Sequence, residues 1–164
     1  MANYYTQMSI ELKPSSEWDI RDIDRILLAI EEENLEQAPE WYQADHQSIQ
    51  EGIEFSTYIE NYLEGSGSIN HTISDSGLWI YSEESANITH IVHAIHQTMN
   101  HYNTPGYVAF EWSYSASKPM LDAFGGGAVF ISAEECLYHT TGNWLWETIK
   151  AHPDQQQESR NETR

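Results

Sequence analysis

The feature that most constrains the fold is a change of hydrophobic period near the middle of the chain. Apolar residues first recur at helical spacing, in the order Ile88, Ile91, Val92, Ile95, Met99 and Tyr102. They then alternate with small or polar residues, in the order Val108, Phe110, Trp112 and Tyr114. The first pattern is typical of an amphipathic helix and the second of a strand with one buried face. Together they favour a sheet against which helices pack.

The start of the chain repeats the two patterns in reverse order. Aromatic and branched residues predict a strand from Tyr4 to Leu12, which ends before Pro14. Apolar residues at helical spacing then predict a helix over about residues 16 to 35, with Ser15 or Ser16 as its N-cap.

The next part of the chain contains a segment that fits neither period and then a hairpin. Residues 36 to 65 predict short helical pieces, and residues 65 to 68 a flexible connection. Alternating residues on both sides of the turn at Asp75 to Gly77 predict a hairpin. Ser85 is the predicted N-cap of the long helix that follows.

After the strand that contains Trp112, the sequence predicts a loop from Ser117 to Gly127 and a short buried strand over residues 128 to 131. Ser132 and Glu135 form a capping-box pattern, which predicts a short helix. A last helix is predicted with Asn143 as its N-cap and with Trp144, Leu145 and Ile149 as its apolar residues.

The predicted order is strand, helix, hairpin, helix, strand. That order matches a ferredoxin-like, split βαβ plan with an extra strand and helices at its C-terminal side. We therefore expect an α+β protein whose antiparallel sheet carries its helices on one face. Residues 1 to 152 are predicted to form one domain, with residues 36 to 65 as an acidic helical or irregular insertion. Residues 153 to 164 are almost all polar and are predicted to be a disordered tail.

Composition excludes several classes of protein. The chain has 164 residues, of which 40% are hydrophobic, so a formal charge of −19 is carried by a chain that can bury a core. Cys136 is the only cysteine, which excludes an intramolecular disulfide and favours a small buried side chain in a reducing compartment. The chain has neither a secretion signal at its start nor an apolar run that would span a bilayer, and we expect it in the cytoplasm.

The negative charge is concentrated in one segment. Between Arg25 and Lys150 the only basic residue is Lys118, against eighteen carboxylates. Ten of them lie in a stretch without Lys or Arg, namely Glu31, Glu32, Glu33, Glu36, Glu40, Asp45, Glu51, Glu54, Glu60 and Glu64. Such a surface repels nucleic acid and anionic membranes and attracts basic proteins, and a ridge of carboxylates imitates the charge spacing of DNA. An ordinary solvated acidic face is the alternative.

One part of the sequence resembles a known family. The residues concerned are Asn3-Tyr4-Tyr5-Thr6, Phe110-Glu111-Trp112-Ser113, Ser117-Lys118-Pro119, Asp122-Ala123-Phe124-Gly125-Gly126-Gly127-Ala128 and Ile131. This pattern resembles a family of small uncharacterised bacterial and phage proteins without an established activity. The resemblance is best over about residues 69 to 146, and it implies a shared fold but no catalytic residue.

Histidines line one side of the long helix. His90, His93, Gln97 and His101 lie opposite its apolar stripe, and His96 lies at the edge. Two histidines three residues apart are able to share a metal ion, but no cysteine or carboxylate on this helix completes a site. We therefore predict no metal and no cofactor, and a solvated or pH-responsive histidine face.

The tryptophans divide into two groups. Trp79 and Trp112 are predicted to lie in the core, because each belongs to an alternating strand. Trp41, Tyr42, Trp144 and Trp146 are either core residues or exposed binding anchors.

A possible secondary site consists of Lys118, Asp122, Gly125, Gly126 and Gly127. The glycines lack the Lys-Ser/Thr ending and the following helix of a phosphate-binding loop, so a bulge or a close backbone approach is the better interpretation. Lys118 is expected to pair with Asp122 or Glu111. A small hydrolase or ligand-binding protein that uses the segment from Ser113 to Gly127, with His139 near Lys118, is the alternative from a different class.

The sequence thus favours a non-enzymatic acidic protein that binds a basic protein, such as a nucleic-acid-binding protein or a defence complex. A phage or mobile-element inhibitor that mimics nucleic acid in the host cytoplasm fits this description. An immunity protein or antitoxin-like partner of a basic toxin is the alternative within the same class. Neither direct nucleic-acid binding nor membrane binding is expected, because the excess charge is negative.

Overall fold

The computed structural model describes residues 3–50, 54–63, 67–120 and 123–152. The protein is an α+β protein with a six-stranded antiparallel sheet and five helices in these ranges. The strands are β1 (Tyr4–Leu12), β2 (Asn70–Ser74), β3 (Gly77–Ser82), β4 (Val108–Ala116), β5 (Gly125–Ile131) and β6 (Cys136–Thr140). The helices are α1 (Ile20–Glu31), α2 (Glu40–Gln50), α3 (Phe55–Tyr62), α4 (Ile88–Tyr102) and α5 (Thr141–Ala151), and a 3₁₀ turn spans Leu35–Gln37.

The sheet has the order β2-β3-β1-β4-β5-β6, and each neighbouring pair is antiparallel. β1 lies in the interior of the sheet, between β3 and β4, whereas β2 and β6 are its edges in the described structure. Alternation along the strands gives the sheet one buried face, on which Leu12, Leu78 and Ile80 are almost fully enclosed. The prediction of an antiparallel sheet is therefore confirmed.

Helices α1 and α4 cover this buried face. Ile23 and Ile26 of α1 and Ile91 and Ile95 of α4 are inaccessible to solvent and belong to one hydrophobic cluster with the strands. A fully buried side chain of this size contributes roughly 1.5–3 kcal/mol, so the α1–α4 layer supplies much of the stability.

The two helices begin later than predicted, because other side chains cap them. The carboxylate of Asp19 accepts a hydrogen bond from the Arg21 amide at the start of α1, and Asn87 accepts one from the His90 amide at the start of α4. Asp and Asn are as effective as Ser at this position, so the prediction of serine caps was wrong in the choice of residue.

Helices α2 and α3 form a third layer on the outer side of α1 and α4. Tyr42 of α2 is fully buried, and its hydroxyl group lies 2.8 Å from Nε2 of His93 on α4. Phe55 and Ile59 of α3 are also buried. The prediction of short helical pieces within residues 36 to 65 is confirmed over the described part of that segment. Residues 65 and 66 of the predicted connection lie outside the described residues.

The part after β4 differs from the prediction in two places. The three glycines 125 to 127 lie in strand β5 and not in a loop. The predicted short helix after Ser132 is absent from the described segment 132–140, where Ser132 forms a turn with Glu135 and β6 follows at Cys136. Ser132 does accept amide hydrogen bonds from Glu134 and Glu135, but it closes a β-turn between two strands.

Helix α5 begins directly after β6. The Thr140 hydroxyl caps it by accepting a hydrogen bond from the Asn143 amide, so Asn143 is inside the helix and is not its cap. None of the five described helices is long and apolar enough to cross a membrane. The predicted tail, residues 153 to 164, lies outside the described residues.

Candidate partner-binding surface

The acidic residues named above lie on a continuous part of the chain that we call the acidic layer. It consists of the C-terminal end of α1, the 3₁₀ turn and helices α2 and α3. Eight of the ten carboxylates are described, and all eight residues are exposed, namely Glu31, Glu32, Glu33, Glu36, Glu40, Asp45, Glu54 and Glu60. Glu51 and Glu64 lie outside the described residues. Among the described residues, no Lys or Arg forms an ion pair with any of the eight.

Aromatic contacts fix this layer to the helices beneath it. The Trp41 indole donates a hydrogen bond to Asp22 of α1 at 2.8 Å, and its ring stacks on His101 of α4 at a centroid distance of 4.0 Å. The ring of Tyr42 stacks on His46 at 4.0 Å. Because these contacts reach both long helices, the carboxylates above them are held on a packed support.

The buried carboxylate of Asp22 was not identified from the sequence as a structural residue. It accepts hydrogen bonds from the Trp41 indole and from the Tyr102 hydroxyl, both at 2.8 Å. A buried carboxylate needs such donors, since an unpaired charge in the interior is costly. Asp22 lies beside Ile23 on the buried side of α1, and this position distinguishes Asp22 from the exposed carboxylates.

The prediction of a solvated histidine face on α4 is wrong for His90 and His93. Nε2 of His90 donates to the Leu63 carbonyl at 2.8 Å, and burial lowers the pKa of His90. Burial, with a smaller repulsion from His46, His90 and His96, lowers the pKa of His93 to about 3. The reason for the error is that α2 and α3 cover the side of α4 that a two-layer fold would leave open.

His71 on β2 has the opposite environment. Its Nδ1 lies 2.6 Å from Asp24 and its Nε2 3.1 Å from Glu31, both on α1. Hydrogen bonds to Asp24 and then Glu31 raise the pKa of His71 to about 9. The imidazole is therefore a cation at neutral pH that donates to both carboxylates. Glu31 thus serves an internal contact as well as the acidic surface.

The carboxylates at the end of α1 stand where they cost stability. Glu31, Glu32 and Glu33 occupy the C-terminal end of the helix, where the dipole disfavours negative charge. Glu33 also has φ 50°, in the left-handed region that favours Gly or Asn. Lys at position 32 and Gly at position 33 would serve the helix better, so folding does not explain Glu32 and Glu33, whereas Glu31 is held by His71.

The predicted secondary site is not assembled by the described residues. Lys118 is exposed and has no carboxylate of the described residues, Glu111 included, within ion-pair distance, and Asp122 lies outside them. A Cβ atom at Gly127 would overlap the indole ring of Trp112 on the neighbouring strand, and one at Gly126 would overlap the Trp112 carbonyl. These two glycines therefore permit a close approach to Trp112, which confirms that interpretation and gives them a structural role.

The open face of the sheet carries a shallow groove of about 510 Å³ above these glycines. Gln7, Glu111 and Ser113 line one side of it, and His139 and Thr141 line the other. His139 and Glu111 have no hydrogen-bond partner for their side chains among the described residues. Among the described residues, no group of three or more His, Cys, Asp or Glu side chains is placed to hold a metal ion.

Three tryptophans are exposed, and of these only Trp79 has a predicted core position. Trp79 is 47% exposed on the open sheet face, where it donates to Ser9 and stacks on Tyr81 at 3.9 Å. Trp144 and Trp146 of α5 are 56% and 57% exposed. The core prediction is wrong for Trp79, because its strand turns the other set of alternating residues toward the helices, whereas Trp112 is buried as predicted.

The last part of the described chain carries several exposed apolar side chains. We call this group the apolar end and define it by Phe130 of β5, Leu137 and Tyr138 of β6, and Trp144, Leu145 and Trp146 of α5. Each of the six is at least 37% exposed. Leu137 pairs with Phe130 and Tyr138 with the buried Val129, so the two β6 side chains lie on opposite faces of the sheet.

Comparison of the chain with protein-family models, curated proteins and solved structures found no match. The resemblance described from the sequence therefore stays a prediction, and function is argued from the surfaces themselves.

Proposed function

We propose that the protein binds a basic partner protein through the acidic layer, on the surface that the partner uses for nucleic acid. The activity is one of binding, without a catalytic step. The observation that carries this proposal is the pair Glu32 and Glu33 at the end of α1, where the helix dipole disfavours negative charge and Glu33 also has a left-handed backbone.

The distribution of charge supports the same proposal. A surface selected only for solubility normally mixes both signs of charge. The eight described carboxylates of the acidic layer are accompanied by no exposed Lys or Arg between residues 26 and 63. Among the described residues, His71 compensates charge at the inner side of Glu31, and Arg25 donates to the Gln37 and Ala38 carbonyls beneath the 3₁₀ turn without pairing with a carboxylate of the layer.

The packing beneath the surface supports mimicry of nucleic acid, which presents its charges on a firm backbone. Tyr42 and Trp41 anchor α2 to α4 and α1, so the backbone that carries these carboxylates is already in place when a partner binds. Pre-organised charge increases both the rate of association and the selectivity for a complementary surface.

Within this proposal the biological role is inhibition of a host nucleic-acid-handling or defence complex by a phage or mobile-element protein in the host cytoplasm. Competition tests this role. Duplex DNA or RNA should displace a partner that uses its nucleic-acid site, whereas a toxin held by an antitoxin-like protein would not be displaced.

The experiment compares two variants with equal changes of charge. One variant carries Glu32→Lys, Glu33→Lys, Glu36→Lys and Asp45→Lys in the acidic layer. The control carries Lys at four exposed carboxylates elsewhere, namely Glu83, Glu84, Glu134 and Glu135. Immobilised wild type, variant and control are each exposed to host lysate at low and high salt, and retained proteins are identified.

We expect basic proteins on the wild type and the control, at least tenfold less on the variant, and release from the wild type at high salt. Lys at positions 32 and 33 is favoured by the dipole of α1, and circular dichroism of the variant distinguishes loss of binding from unfolding. Equal retention by variant and control would contradict a role for this surface.

For the fold, we further propose that β1 to β4 with α1 and α4 constitute the ferredoxin-like, split βαβ unit expected from the sequence. The order β2-β3-β1-β4 and the antiparallel pairing of those strands support it. In this proposal α2 and α3 are an insertion, and β5, β6 and α5 are an extension. A chain from which residues 34 to 63 are replaced by a short linker should then retain the sheet, as measured by circular dichroism.

A further inference from the structure

A cavity lies where three segments of the chain meet. These segments are the connection from β1 to α1, the turn between β2 and β3, and the last turn of α4. The cavity has a volume of about 720 Å³, which is within the usual range for small-molecule sites. No residue of the acidic layer lines it. The cavity is therefore a feature separate from the surface proposed above for a basic partner.

The connection from β1 to α1 gives the cavity a wall of fixed conformation. Pro14 follows the end of β1, and the chain then forms a bridge between Ser15 and Trp18. Asp19 caps α1 by accepting a hydrogen bond from the Arg21 amide at 3.0 Å. Because these local contacts hold the segment, the wall is in place before a ligand binds.

Four large apolar or aromatic side chains line the cavity. Trp18 and Ile20 belong to the connection and the start of α1, and both pack against the hydrophobic core. Ile73 of β2 and Tyr102 of α4 also line it, with 39% and 38% of their surface exposed. Aromatic and aliphatic walls of this kind suit the apolar body of a ligand.

The charged groups around the cavity are predominantly acidic. Asp19 and Arg21 neutralise each other through a bidentate contact, with nitrogen–oxygen distances between 2.6 and 3.1 Å. Asp75, in the turn between β2 and β3, has no basic partner among the described residues. The buried carboxylate of Asp22 lies behind the cavity and accepts a hydrogen bond from the Tyr102 hydroxyl, a neutral donor. The cavity therefore has an excess of negative charge.

Tyr102 responds to the sign of this charge. Burial, followed by the hydrogen bond to Asp22 and the charges of Asp22 and Asp19, raises the pKa of Tyr102 to about 12. Arg21 acts in the opposite direction, but its effect is the smallest of these. The formal charge of −19 on the whole chain has the same sign as the excess at the cavity. An anionic ligand is therefore repelled and a cationic ligand attracted.

We propose that this cavity binds a small organic amine, with the apolar body of the amine against Trp18, Ile73 and Tyr102 and its ammonium group toward Asp75. The aromatic rings provide apolar contact and also attract a cation to their faces. This inference goes beyond the proposed function, because the site takes a small molecule and shares no lining residue with the acidic layer.

The test uses two ligands of similar shape and opposite charge, phenethylamine and 3-phenylpropanoate. Their binding to the full chain is followed by nuclear magnetic resonance, through the chemical shift of the Trp18 indole proton. We expect phenethylamine to bind with a dissociation constant of about 10 mM or less, which is realistic for a ligand of this size. We expect 3-phenylpropanoate to bind roughly tenfold more weakly.

Variants locate the site. Ile73→Trp places an indole in the cavity at an exposed strand position that tolerates aromatic residues, and it should weaken phenethylamine binding roughly tenfold. Asp75→Asn keeps a residue suited to a turn and should weaken binding roughly two- to fivefold, since the contact is exposed to solvent. The matched control Asp45→Asn removes the same charge from the acidic layer and should leave phenethylamine binding unchanged.

Circular dichroism establishes that each variant is folded. A dissociation constant above about 10 mM for phenethylamine, or equal binding of the two ligands, overturns the proposal. Full affinity in Ile73→Trp also overturns it, because the amine would then bind elsewhere. The same holds if Asp45→Asn weakens binding as much as Asp75→Asn, because the attraction would then belong to the charge of the whole molecule and not to this cavity.

Discussion

The acidic layer and the apolar end both contain aromatic residues, but the two regions differ in the burial of those residues and in surface charge. In the acidic layer Tyr42 and Phe55 are buried, and the surface above them carries carboxylates. At the apolar end Trp144 and Trp146 are exposed, and charged residues are almost absent. Aromatic side chains are thus packed in the interior in one region and exposed in the other.

The two regions therefore differ in the range and in the salt dependence of the interactions that they can make. A charged surface acts at long range and loses strength in salt, whereas an apolar surface acts only on contact. The following predictions test this contrast between the two regions.

Removal of a buried aromatic from the acidic layer should have the largest effect. Tyr42→Ala deletes a fully buried ring and its hydrogen bond to His93, and the free energy of unfolding should fall by about 3–5 kcal/mol. Urea denaturation followed by circular dichroism measures this change. Tyr42→Phe, which keeps the ring, should lose only about 1 kcal/mol. A small effect of Tyr42→Ala would show that the layer is not part of the cooperative core.

Lowering the pH should have the second-largest effect, because it lowers the free energy of unfolding through His93 beneath the acidic layer. The folded state keeps His93 neutral, with its pKa at about 3, whereas the unfolded chain binds a proton near pH 6.5. Stability from this group is therefore complete above pH 6.5 and falls by about 2 kcal/mol between pH 6.5 and 5. Urea denaturation across this range should show the slope, and His93→Gln should reduce it. An unchanged slope in His93→Gln would exclude this histidine as the cause.

Raising the pH should lower the free energy of unfolding through the contact between His71 of β2 and the carboxylates of α1. The pKa of His71 is raised to about 9, so its contribution is complete below pH 6.5 and is lost as pH rises toward 9. We expect a loss on the order of 1–2 kcal/mol, since part of the interaction is screened by solvent. His71→Gln should abolish this dependence without altering the acid response. Nuclear magnetic resonance titration of His71 gives a direct check, because a value near 6.5 would contradict the double carboxylate contact.

Removal of an exposed aromatic from the apolar end should have the smallest effect on the folded monomer. Trp144 is 56% exposed, and Trp144→Ala should change the free energy of unfolding by less than about 0.5 kcal/mol, in contrast to Tyr42→Ala. Urea denaturation of dilute protein, followed by circular dichroism, measures this change. A loss of several kcal/mol would mean that α5 packs on its own chain and would remove the contrast between the two regions.

The sequence predicted those elements whose hydrophobic period is long and uninterrupted. The bounds of β1 agree with the prediction from Tyr4 to Leu12, and α4 follows the apolar stripe from Ile88 to Tyr102. The β2–β3 hairpin follows its turn residues. In these segments local pattern and tertiary packing favour the same structure, which is why single-sequence reasoning is sufficient there.

The errors occur where a residue has two compatible roles. Ser132 with Glu135 caps a helix or closes a turn, and only the pairing of β6 with β5 decides. Glycines 125 to 127 are typical of a loop, but the bulk of Trp112 on the adjacent strand requires them inside β5. The histidines of α4 look solvated until α2 and α3 cover them.

The candidate site was predictable in composition but not in shape. The ten acidic residues were identified from the absence of Lys and Arg, and the eight described ones are exposed. Their support by Trp41 and Tyr42 depends on contacts with α1 and α4 that no local pattern encodes. The sequence could not predict the exposure of α5 either. An amphipathic helix has the same pattern whether it packs on its own sheet or on another molecule.

The interior position of β1 has a consequence for synthesis on the ribosome. β1 is made first, but its two neighbours are β3, which begins at Gly77, and β4, which begins at Val108. At about 5–20 residues per second, translation of the roughly one hundred residues between β1 and β4 takes on the order of 5–20 seconds. β1 therefore has no strand neighbour until β3 is made, and one of its edges stays unpaired until β4 has emerged. The sheet cannot be completed before two thirds of the chain has been synthesised.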